Sequence, residues 1–499
     1  MHPKLFTTII FSALFCLTSF GQVELRMLSP KKMKKDLKML LELVEAHPDP
    51  YTKISEEAFN DLVAGVEENI NVEMDLLEFY KIVSPIITSI QDGHTSLRMP
   101  RYWLQNKQKK HGAFPYEVFL TNEGTLHIIQ SYGDQEIPLC AEILEINGMS
   151  IPDFITEVDP CLSYETIPFR NDRISESFEF LLYLVFKQVD QLSFKFRVSE
   201  EQTVVVSTLP YNDWKEQKKD LEEEREKKIA RSEPYDFSII KPGVALINIF
   251  SFSVGDITKY NFFLNKTFKE IKNEGVHSLI IDVRGNYGGW PRVSSELFHY
   301  IHEGHFKVMA KSSMKISQPY RRYFTEKMPK VNTVDVTFQQ RRHNLNLQEI
   351  LYGELNTYVD EDDFYNESNV EEEYEFSGDC YLLMDRKSYS ASSSFASTFQ
   401  CYSMGTIIGE PSGGTKIFRA NSIYKRLPSS SFFLGMSTSL KYCTCYNEEN
   451  EPVLPDFEVT PSILDRVHKS DAQLNFTLML IQKLQNGEIS RSRVKSDKP

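Results

Sequence analysis

The sequence predicts an α/β fold for the C-terminal half of this chain. Apolar runs such as Val244–Ile249, Ser278–Val283 and Thr406–Gly409 have the length of buried strands and alternate with segments of helical spacing. The alternation covers residues 237–310 and 378–462, and it is typical of a sheet whose strands are joined by crossover helices. The chain has 499 residues, enough for about three domains, so further units are expected before this core.

The residues before the core predict helices first and strands second. Met33, Leu37 and Leu40 recur at the helical interval near the N-terminus. Farther along, the pair Asn147 and Gly148 lies between apolar runs and is typical of a tight hairpin. We therefore expect a helical domain followed by a small β-rich module.

Two polar segments help to place the boundaries. Dense lysine and glutamate at 215–231 predicts a solvated helix or linker, and the acidic run at 360–363 predicts a surface insertion. In chain order, the predicted units are a signal peptide (1–21), an N-terminal helical domain (22–105), a β-rich domain (106–210), a charged linker (211–236), the α/β core (237–470, with an insertion at 329–377) and a C-terminal helix with a polar tail (471–499).

Composition and charge narrow the function classes. The chain is 41% hydrophobic, with a net charge of -14 and a pI near 5.4. Such an acidic protein is not expected to bind nucleic acid or an anionic membrane surface. No later segment is apolar enough for an integral membrane span. The absence of a C-x-x-C pair argues against a zinc–thiolate site, and we expect neither a metal nor another cofactor.

The first residues have the order of a secretory signal peptide. Lys4 supplies a positive charge, Leu5–Leu17 an apolar run, and the small residues ending at Gly21 a cleavage site. We therefore expect a periplasmic or secreted protein that is cleaved after Gly21. Cys16 leaves a lipoprotein as the alternative, which the bulky Phe15 before it disfavours.

Cysteine usage is compatible with export. The sequence has seven cysteines, and one of them lies in the predicted signal peptide, which leaves an even number that permits disulfides. Cys443 and Cys445 are too close in sequence for an easy mutual bridge. Cys380 and Cys401 lie on consecutive predicted elements, and we expect both to be core thiols.

The most informative motif runs from Asp385 to Phe399 and contains Ser390 between an apolar run and a helical pattern. A small-residue turn there places side chains at a helix N-terminus, where unpaired backbone N–H groups can bind an oxyanion. A serine at that corner is placed for nucleophilic attack. The competing interpretation is a serine-rich turn that only caps the helix.

Two further motifs offer partners for such a serine. Ile281–Gly289 ends a predicted strand in a glycine turn, whose backbone N–H groups can approach a substrate and form half of an oxyanion hole. No Gly-Lys-Ser/Thr follows, so a P-loop is excluded. His94 lies in the segment Asp92–Thr95, between the helical and β-rich units, where clefts form. Histidine is the usual base for a serine nucleophile, although a lone histidine is more commonly structural.

In this order, the motifs resemble those of the C-terminal-processing and tricorn-like serine peptidases of the exported bacterial type. The resemblance rests on Asp92–Thr95, Asp282–Gly289, the corner Ser390–Ala391 and the segment Ile408–Thr415. Val453–Val459 is also similar to the terminal strand of that family. Each motif is weak alone, and their order makes the resemblance fairly specific over most of the mature chain.

The resemblance implies a crotonase-like core of ββα units, preceded by a helical domain and a PDZ-like domain in place of the β-rich module. It implies that Ser390 is the nucleophile. The backbone N–H groups of Gly288 and Ala391 would then form the oxyanion hole.

The family has two branches with different bases. One uses a lysine at the position of Thr415, and Lys416 is one residue along, so its side chain should point elsewhere in an extended segment. The other branch uses a histidine and a downstream carboxylate, which implies His94 as the base here. Glu449 is the candidate for the carboxylate that orients the imidazole. Its rivals are Glu448, Glu451 and Asp92.

These inferences predict an exported serine endopeptidase that hydrolyses bonds in peptides or unfolded protein tails. One departure keeps an alternative open, because the family usually has an acidic residue where this chain has Ser393. The alternative is a non-catalytic peptide- or ligand-binding protein that retains the peptidase fold.

Overall fold

The computed structural model describes most of the chain and forms several packed sheets with helices around them. The described residues are 27–133, 136–227, 233–327, 348–361, 370 and 372–489. The predicted signal peptide at 1–21 and part of the predicted insertion at 329–377 lie outside these residues. In the described part, no helix is both long and apolar enough to span a membrane.

Helices form the N-terminal unit, as the apolar spacing predicts. Two of them start at a side-chain cap: Ser55 caps α2, and Asp75 forms a reciprocal capping box with Glu78 at the start of α3. Their buried stripes share one hydrophobic cluster with the unit that follows. The elements are α1 (Pro30–Val44), α2 (Glu56–Asn69), α3 (Leu76–Thr88), β1 (Ser96–Arg98) and α4 (Arg101–His111).

The second unit is an antiparallel sheet that includes the predicted hairpin. Asn147 and Gly148 have φ values of 49° and 78°, the positive pair that a tight hairpin turn needs. The strands are β2 (Tyr116–Leu120), β3 (Leu126–Ser131), β4 (Glu142–Ile146), β5 (Met149–Ser150), β6 (Gln191–Arg197) and β7 (Glu201–Ser207). Their order is β2-β3-β4-β6-β7, with β5 paired to β4.

Helices that the strand-based prediction did not include separate β5 from β6. They are α5 (Ile151–Val158), α6 (Ile167–Glu176) and α7 (Phe178–Phe186), with a 3-10 turn at Asp159–Cys161. Helix α6 begins where the Thr166 side chain accepts the N–H of Phe169, and a proline occupies its first turn. This helical excursion contributes to the site described below.

The remaining chain contains the α/β core and two small sheets. Its main elements are α8 (Tyr211–Lys227), β8 (Tyr235–Lys241), β9 (Val244–Ile249), α9 (Ile257–Asn273), β10 (Ser278–Asp282), α10 (Pro291–Ile301), β11 (Met309–Lys315), α11 (Gln318–Lys327), β12 (Tyr358–Glu361), β13 (Asp379–Met384), α12 (Ala391–Cys401), β14 (Thr406–Gly409), β15 (Ile417–Ala420), β16 (Ile423–Arg426), β17 (Phe433–Met436), β18 (Ser439–Cys443), β19 (Phe457–Glu458), α13 (Ile463–His468) and α14 (Ala472–Gln485).

The core sheet confirms the predicted α/β class. Its order is β19-β14-β13-β10-β9-β8, and every neighbouring pair except β8 with β9 is parallel. Side chains of alternate residues enter different hydrophobic clusters: Ile281 packs in the one with Phe395 of α12, and Ile280 in the one with Leu480 of α14. Helices cover both faces, which explains why the strands are continuous apolar runs.

A three-stranded sheet connects the N-terminal unit to the core. Strand β1 pairs antiparallel with β17, which pairs with β16, and the register aligns Ser96 with Gly435. The four-stranded sheet β12-β11-β18-β15 takes three strands from the chain before β17 and one, β18, from the chain directly after it. The β1–β17 pairing matters for function because β1 directly follows the Asp92–Thr95 motif.

The cysteine prediction was partly wrong. Cys401, expected to be a core thiol, forms a disulfide with Cys445, and their Cα atoms are 5.8 Å apart. The bond connects the end of α12 to the residues after β18. Cys380 is a buried free thiol, as expected.

Candidate active site

Ser390 lies at the corner between strand β13 and helix α12. Its φ of 59° and ψ of -121° are unfavourable for a residue with a side chain. Tyr389 holds the corner by donating its backbone N–H to the Asn286 carbonyl at 3.1 Å, and Ser394 donates to the Ser390 carbonyl at 3.0 Å. Within the described residues, the Ser390 hydroxyl caps no N–H of the helix. The arrangement matches a strand–turn–helix nucleophile elbow.

His94 reaches this corner from the N-terminal unit. Its Nε2 lies 2.9 Å from the Ser390 Oγ, although the two residues are 296 positions apart in the sequence. The imidazole lies between the rings of Tyr389 and Phe418, with centroid distances of 4.6 and 5.7 Å. These contacts fix the ring plane, so the Nε2 atom faces the serine.

Tyr389 and Glu165 contact the other side of the imidazole. The Tyr389 hydroxyl lies 2.7 Å from His94 Nδ1 and donates to Glu165 Oε1 at 2.7 Å. The direct distance from Glu165 Oε1 to His94 Nδ1 is longer, at 3.7 Å. Burial, followed by the charges of Glu165 and Asp92, raises the pKa of Tyr389 well above its usual value. The phenol therefore stays protonated and bridges the imidazole and the carboxylate.

The hydrogen atoms of this bridge can be placed by counting. A phenol has one O–H, and Tyr389 donates it to Glu165. The contact with His94 then requires the imidazole to donate its Nδ1–H to the phenol oxygen. That tautomer leaves Nε2 without a proton and able to accept one from Ser390.

Asp92 anchors the histidine through the backbone. Its Oδ1 accepts the His94 N–H at 2.9 Å, and its Oδ2 accepts the Ser437 hydroxyl at 2.6 Å and lies 3.3 Å from His47 Nε2. Burial alone would raise the pKa of Asp92, but the bond to His47 and the nearby histidine charges reverse this and lower it. Asp92 Oδ1 is 3.9 Å from His94 Nδ1, so it contacts the backbone more closely than the ring.

The structure does not bring Glu449 to the histidine. Glu449 is exposed in the segment after β18. Of the described carboxylates, Glu165 and Asp92 are the ones that pair with the His94 ring, and neither is Glu448 or Glu451. The sequence analysis named Asp92 only as a rival and missed Glu165. Glu165 precedes a readable helix start, but no local pattern links it to a histidine in another unit.

Thr415, which the sequence resemblance aligns with the lysine base of the other branch, contacts Glu165 instead. Its backbone N–H donates to Glu165 Oε2 at 3.2 Å, whereas its hydroxyl donates to the Ile417 carbonyl at 2.8 Å and lies 3.3 Å from the same carboxylate oxygen. The adjacent Lys416 donates its backbone N–H to the Glu451 carbonyl at 3.1 Å. The Thr415 backbone therefore helps to hold the carboxylate that faces the histidine.

The two predicted oxyanion donors, the backbone N–H groups of Gly288 and Ala391, are adjacent but differ in whether they are already hydrogen-bonded. A Cβ added to Gly288 would lie 2.8 Å from the Ala391 nitrogen, so the two backbone segments approach closely. The φ of Gly288, 99°, also favours glycine at this position. Ala391 is the first residue of α12, and its N–H has no partner among the described residues. The Gly288 N–H donates to the Asn286 side chain at 2.8 Å.

Ser393 has a structural contact in place of the usual acid. Its hydroxyl donates to the Ser388 carbonyl at 2.9 Å, and the side chain is buried. The bond ties the first turn of α12 to the residues before Ser390. A serine at this position therefore supports the corner without a charge.

Asp92, His94 and Glu165 also have ligand atoms within 4.8 Å of one another, a spacing that can hold a metal ion. The Tyr389 hydroxyl already bonds to two of these three residues. The hydrogen-bonded arrangement therefore explains the cluster without a metal.

A serine on a strand-to-helix corner, paired with a histidine from another unit, defines a serine-type hydrolase class. Residues 243–459 match the sequence model of Peptidase family S41. The core of this chain is therefore similar in sequence to that family, and the protein is a serine-type peptidase. No curated protein sequence matches the chain at a significant level.

Solved structures support the fold. Mature CPAF is similar with a TM-score of 0.62 and 14% identity, over 92% of this chain and 99% of that one. Mature CPAF complexed with lactacystin gives the same values. The photosystem II D1 C-terminal processing protease is less similar, with a TM-score of 0.40 and 12% identity over 89% and 98% of the two chains. At 14% identity the likeness to CPAF shows the fold alone, a crotonase-like core with helical and β-rich units.

Proposed function

We propose that this peptidase cleaves peptide bonds with Ser390 as the nucleophile and His94 as the general base. The observation that carries the proposal is the 2.9 Å contact between His94 Nε2 and the Ser390 Oγ. This distance lies within the range that a base needs to take the hydroxyl proton. The strained corner at Ser390 supports the same role, because the backbone conformation exposes the hydroxyl.

In the proposed reaction, the Ser390 Oγ attacks the peptide carbonyl and its proton moves to His94 Nε2. The Ala391 N–H stabilises the oxyanion of the tetrahedral intermediate. The protonated imidazole then gives its proton to the leaving amine, which produces an acyl-serine and a free amino terminus. Water, deprotonated by His94, hydrolyses the ester and restores the serine hydroxyl.

Tyr389 and Glu165 are assigned to the imidazole rather than to the substrate. The bridge from Nδ1–H through the phenol to the carboxylate selects the tautomer that accepts at Nε2. When the ring becomes an imidazolium, the buried carboxylate of Glu165 stabilises its charge through the phenol. Glu165 thus replaces Glu449 as the proposed acid.

The proposed substrates are peptides or unfolded protein tails outside the cytoplasm. The family supports a peptide substrate. The signal-peptide pattern at 1–21 supports export to the periplasm or secretion. In the PDZ-like role proposed for residues 106–210, the sheet β2-β3-β4-β6-β7 offers edges to which an extended peptide can add.

A second candidate is a binding protein that retains the fold without turnover. The observation that favours it is the Gly288 N–H, which donates to Asn286 and does not point to a free oxyanion position. The proposed enzyme therefore needs the Gly288 turn to rearrange on substrate binding, or it works with the Ala391 donor alone.

A serine-directed fluorophosphonate probe distinguishes the two candidates. The peptidase should be labelled at Ser390, found by peptide mass mapping, and should cleave an unstructured peptide. Ser390→Ala is the control and should show neither result. A wild-type protein that is folded, unlabelled and without peptide cleavage would leave the binding protein as the function.

A further inference from the structure

A cavity of about 380 Å³ lies beside Gly93, the residue before His94. Strand β1 and the helices α4, α6 and α7 contribute to its walls. Gly93, the residue before His94, lines it, and a Cβ added there would lie 2.4 Å from the Tyr389 hydroxyl. The cavity is therefore next to the phenol that bridges the histidine and Glu165. We call it the arginine cavity, after Arg98, Arg101 and Arg173, which line it.

The arginine cavity has a surplus of positive charge. Glu176 is its one acidic residue among those described, and this carboxylate already accepts from Lys387 at 2.8 Å and Tyr287 at 2.7 Å. Its nearest atom is 3.9 Å from the Arg173 guanidinium, too far for a strong ion pair. The acid of the cavity is thus largely engaged elsewhere.

Two of the arginines have no carboxylate partner within the described residues. Arg98 donates its Nε–H to the Ser96 hydroxyl at 3.1 Å, and its side chain is exposed. Arg101 is also exposed and makes no ion pair there. Like charges gathered in one cavity are unfavourable, and an anion between them would remove that repulsion.

Apolar rings surround the arginines. Tyr80, Trp103 and Phe180 line the cavity, and Phe180 packs edge-on against both of the other rings. A small inorganic anion would leave this apolar surface unused. A carboxylate attached to a peptide fits both features, because its neighbouring residues can cover the rings.

Strand β1 also offers a backbone edge at the same place. It pairs with β17 on one side and is the terminal strand of its sheet as far as the structure describes it. Ser96, Leu97 and Arg98 of this strand all line the cavity. The Leu97 carbonyl of this short strand already accepts the Tyr80 hydroxyl at 3.0 Å, so an extended peptide would lie along β1 rather than complete a hydrogen-bonded ladder with it. Its side chains would then pass the arginines.

We propose that the arginine cavity is a substrate subsite that binds a carboxylate of the peptide. The carboxylate comes either from an aspartate or glutamate side chain or from the C-terminus of the substrate. This inference rests on the proposed peptidase function and adds a preference for anionic substrates.

The test uses four peptides of one cleavable sequence. Two peptides carry glutamate and two carry glutamine at one position. Within each pair, one peptide has a free C-terminus and the other has an amidated C-terminus. The wild type should lose at least about tenfold in kcat/KM when the recognised carboxylate is removed, the scale of a charge-assisted hydrogen bond. The glutamine exchange and the amidation distinguish the two sources of the carboxylate.

Three variants locate the preference. Arg98→Gln and Arg173→Gln should abolish it, and the measured quantity is the ratio of kcat/KM between the charged and the uncharged peptide within each variant, since an uncharged peptide gains no charge-assisted bond from the guanidinium groups. Arg173→Lys should retain part of it. Arg426→Gln is the matched control: Arg426 lies across from Arg98 through Phe433 in the β1-β17-β16 sheet but does not line the cavity. It should keep the full preference, and thermal melts exclude unfolded variants.

Titration calorimetry on the Ser390→Ala protein repeats the comparison without turnover. The subsite is supported if this protein prefers the peptides with the carboxylate and the preference disappears when Arg98→Gln or Arg173→Gln is added. This outcome supports the subsite even if no peptide is cleaved and the peptidase role fails. Equal affinity for all four peptides, or a preference that survives both substitutions, would overturn the proposal.

Discussion

The candidate site has two halves that are built in different ways. The nucleophile half comes from two loops of one sheet, the Asn286–Gly289 turn after β10 and the Ser388–Ala391 corner after β13. Because β10 and β13 are parallel neighbours, both loops leave the same edge, and Tyr389 bonds directly to Asn286. The base half instead needs Asp92–His94 from the N-terminal unit, Glu165 from the helical excursion and Thr415 from the core.

Because of this difference, we expect the nucleophile half to be more rigid than the base half. The nucleophile half is fixed by the register of a sheet that is buried on both faces. The base half depends on packing between units, so a change in that packing would move His94 without disturbing Ser390. We expect loss of function through the base half to occur with little loss of core stability.

The largest expected effect comes from Ser390→Ala. It should lower kcat by about a thousandfold or more, because the acyl-enzyme cannot form. Its free energy of unfolding should change by about 1 kcal/mol or less, since the hydroxyl caps no helix N–H within the described residues. Peptide turnover and urea unfolding of the same preparation measure both quantities. Undiminished turnover would remove Ser390 from the mechanism.

His94→Ala should approach the same loss, whereas Lys416→Ala should change kcat by about threefold at most. A base and a nucleophile act as a unit, so removing either costs a similar factor. Lys416 is the matched control because it stands next to the position of the lysine base in the other branch. If Lys416→Ala were the more damaging change, the histidine would not be the base.

Tyr389→Phe and Glu165→Gln test the bridge and should each lower kcat by about ten- to a hundredfold with little change in KM. The phenylalanine keeps the ring stacked on His94 but removes the hydroxyl that joins Nδ1 to the carboxylate. Glu449→Gln is the control and should be near wild type, since Glu449 is exposed and forms no pair with the histidine. A large effect of Glu449→Gln together with a silent Glu165→Gln would restore the acid first predicted.

Asp92→Asn should give the smallest effect on rate and a pH-dependent effect on stability. The folded-state pKa of Asp92 is lowered, so its contribution is present above the ordinary aspartate pKa of about 3.9 and is lost as pH falls toward the lower folded value. At pH 7 the variant should be less stable by about 2 kcal/mol, and this difference should shrink between about pH 4 and pH 2. Urea unfolding at several pH values measures the trend, and a constant difference would contradict it.

The sequence predicted the nucleophile half better than the base half, and the reason is physical. Strand runs, the glycine turn and the serine corner are short-range patterns, so the α/β core could be recognised and Ser390 placed beside Gly288. His94 was proposed from its motif and its place between units. Glu165 could not be found, because its role depends on a contact between separate units.

Local signals were also incomplete in the β-rich region. The Asn147-Gly148 turn predicted the hairpin correctly, but the helices between Ile151 and Phe186 were not predicted. Thr166, with Pro168 two residues later, was a readable helix start, and it stands beside the missed Glu165. Cys401 was misjudged for a related reason: its partner Cys445 is close in space through packing, not in sequence.

The distance of 296 residues between His94 and Ser390 also has a meaning in time. A ribosome adds about 5 to 20 residues each second, so the proposed base is synthesised about 15 to 60 s before the proposed nucleophile. The strands that hold β1 in place follow later still. An incomplete chain therefore lacks the assembled proposed site, and we expect proteolytic activity to begin only when the last strands have joined the first.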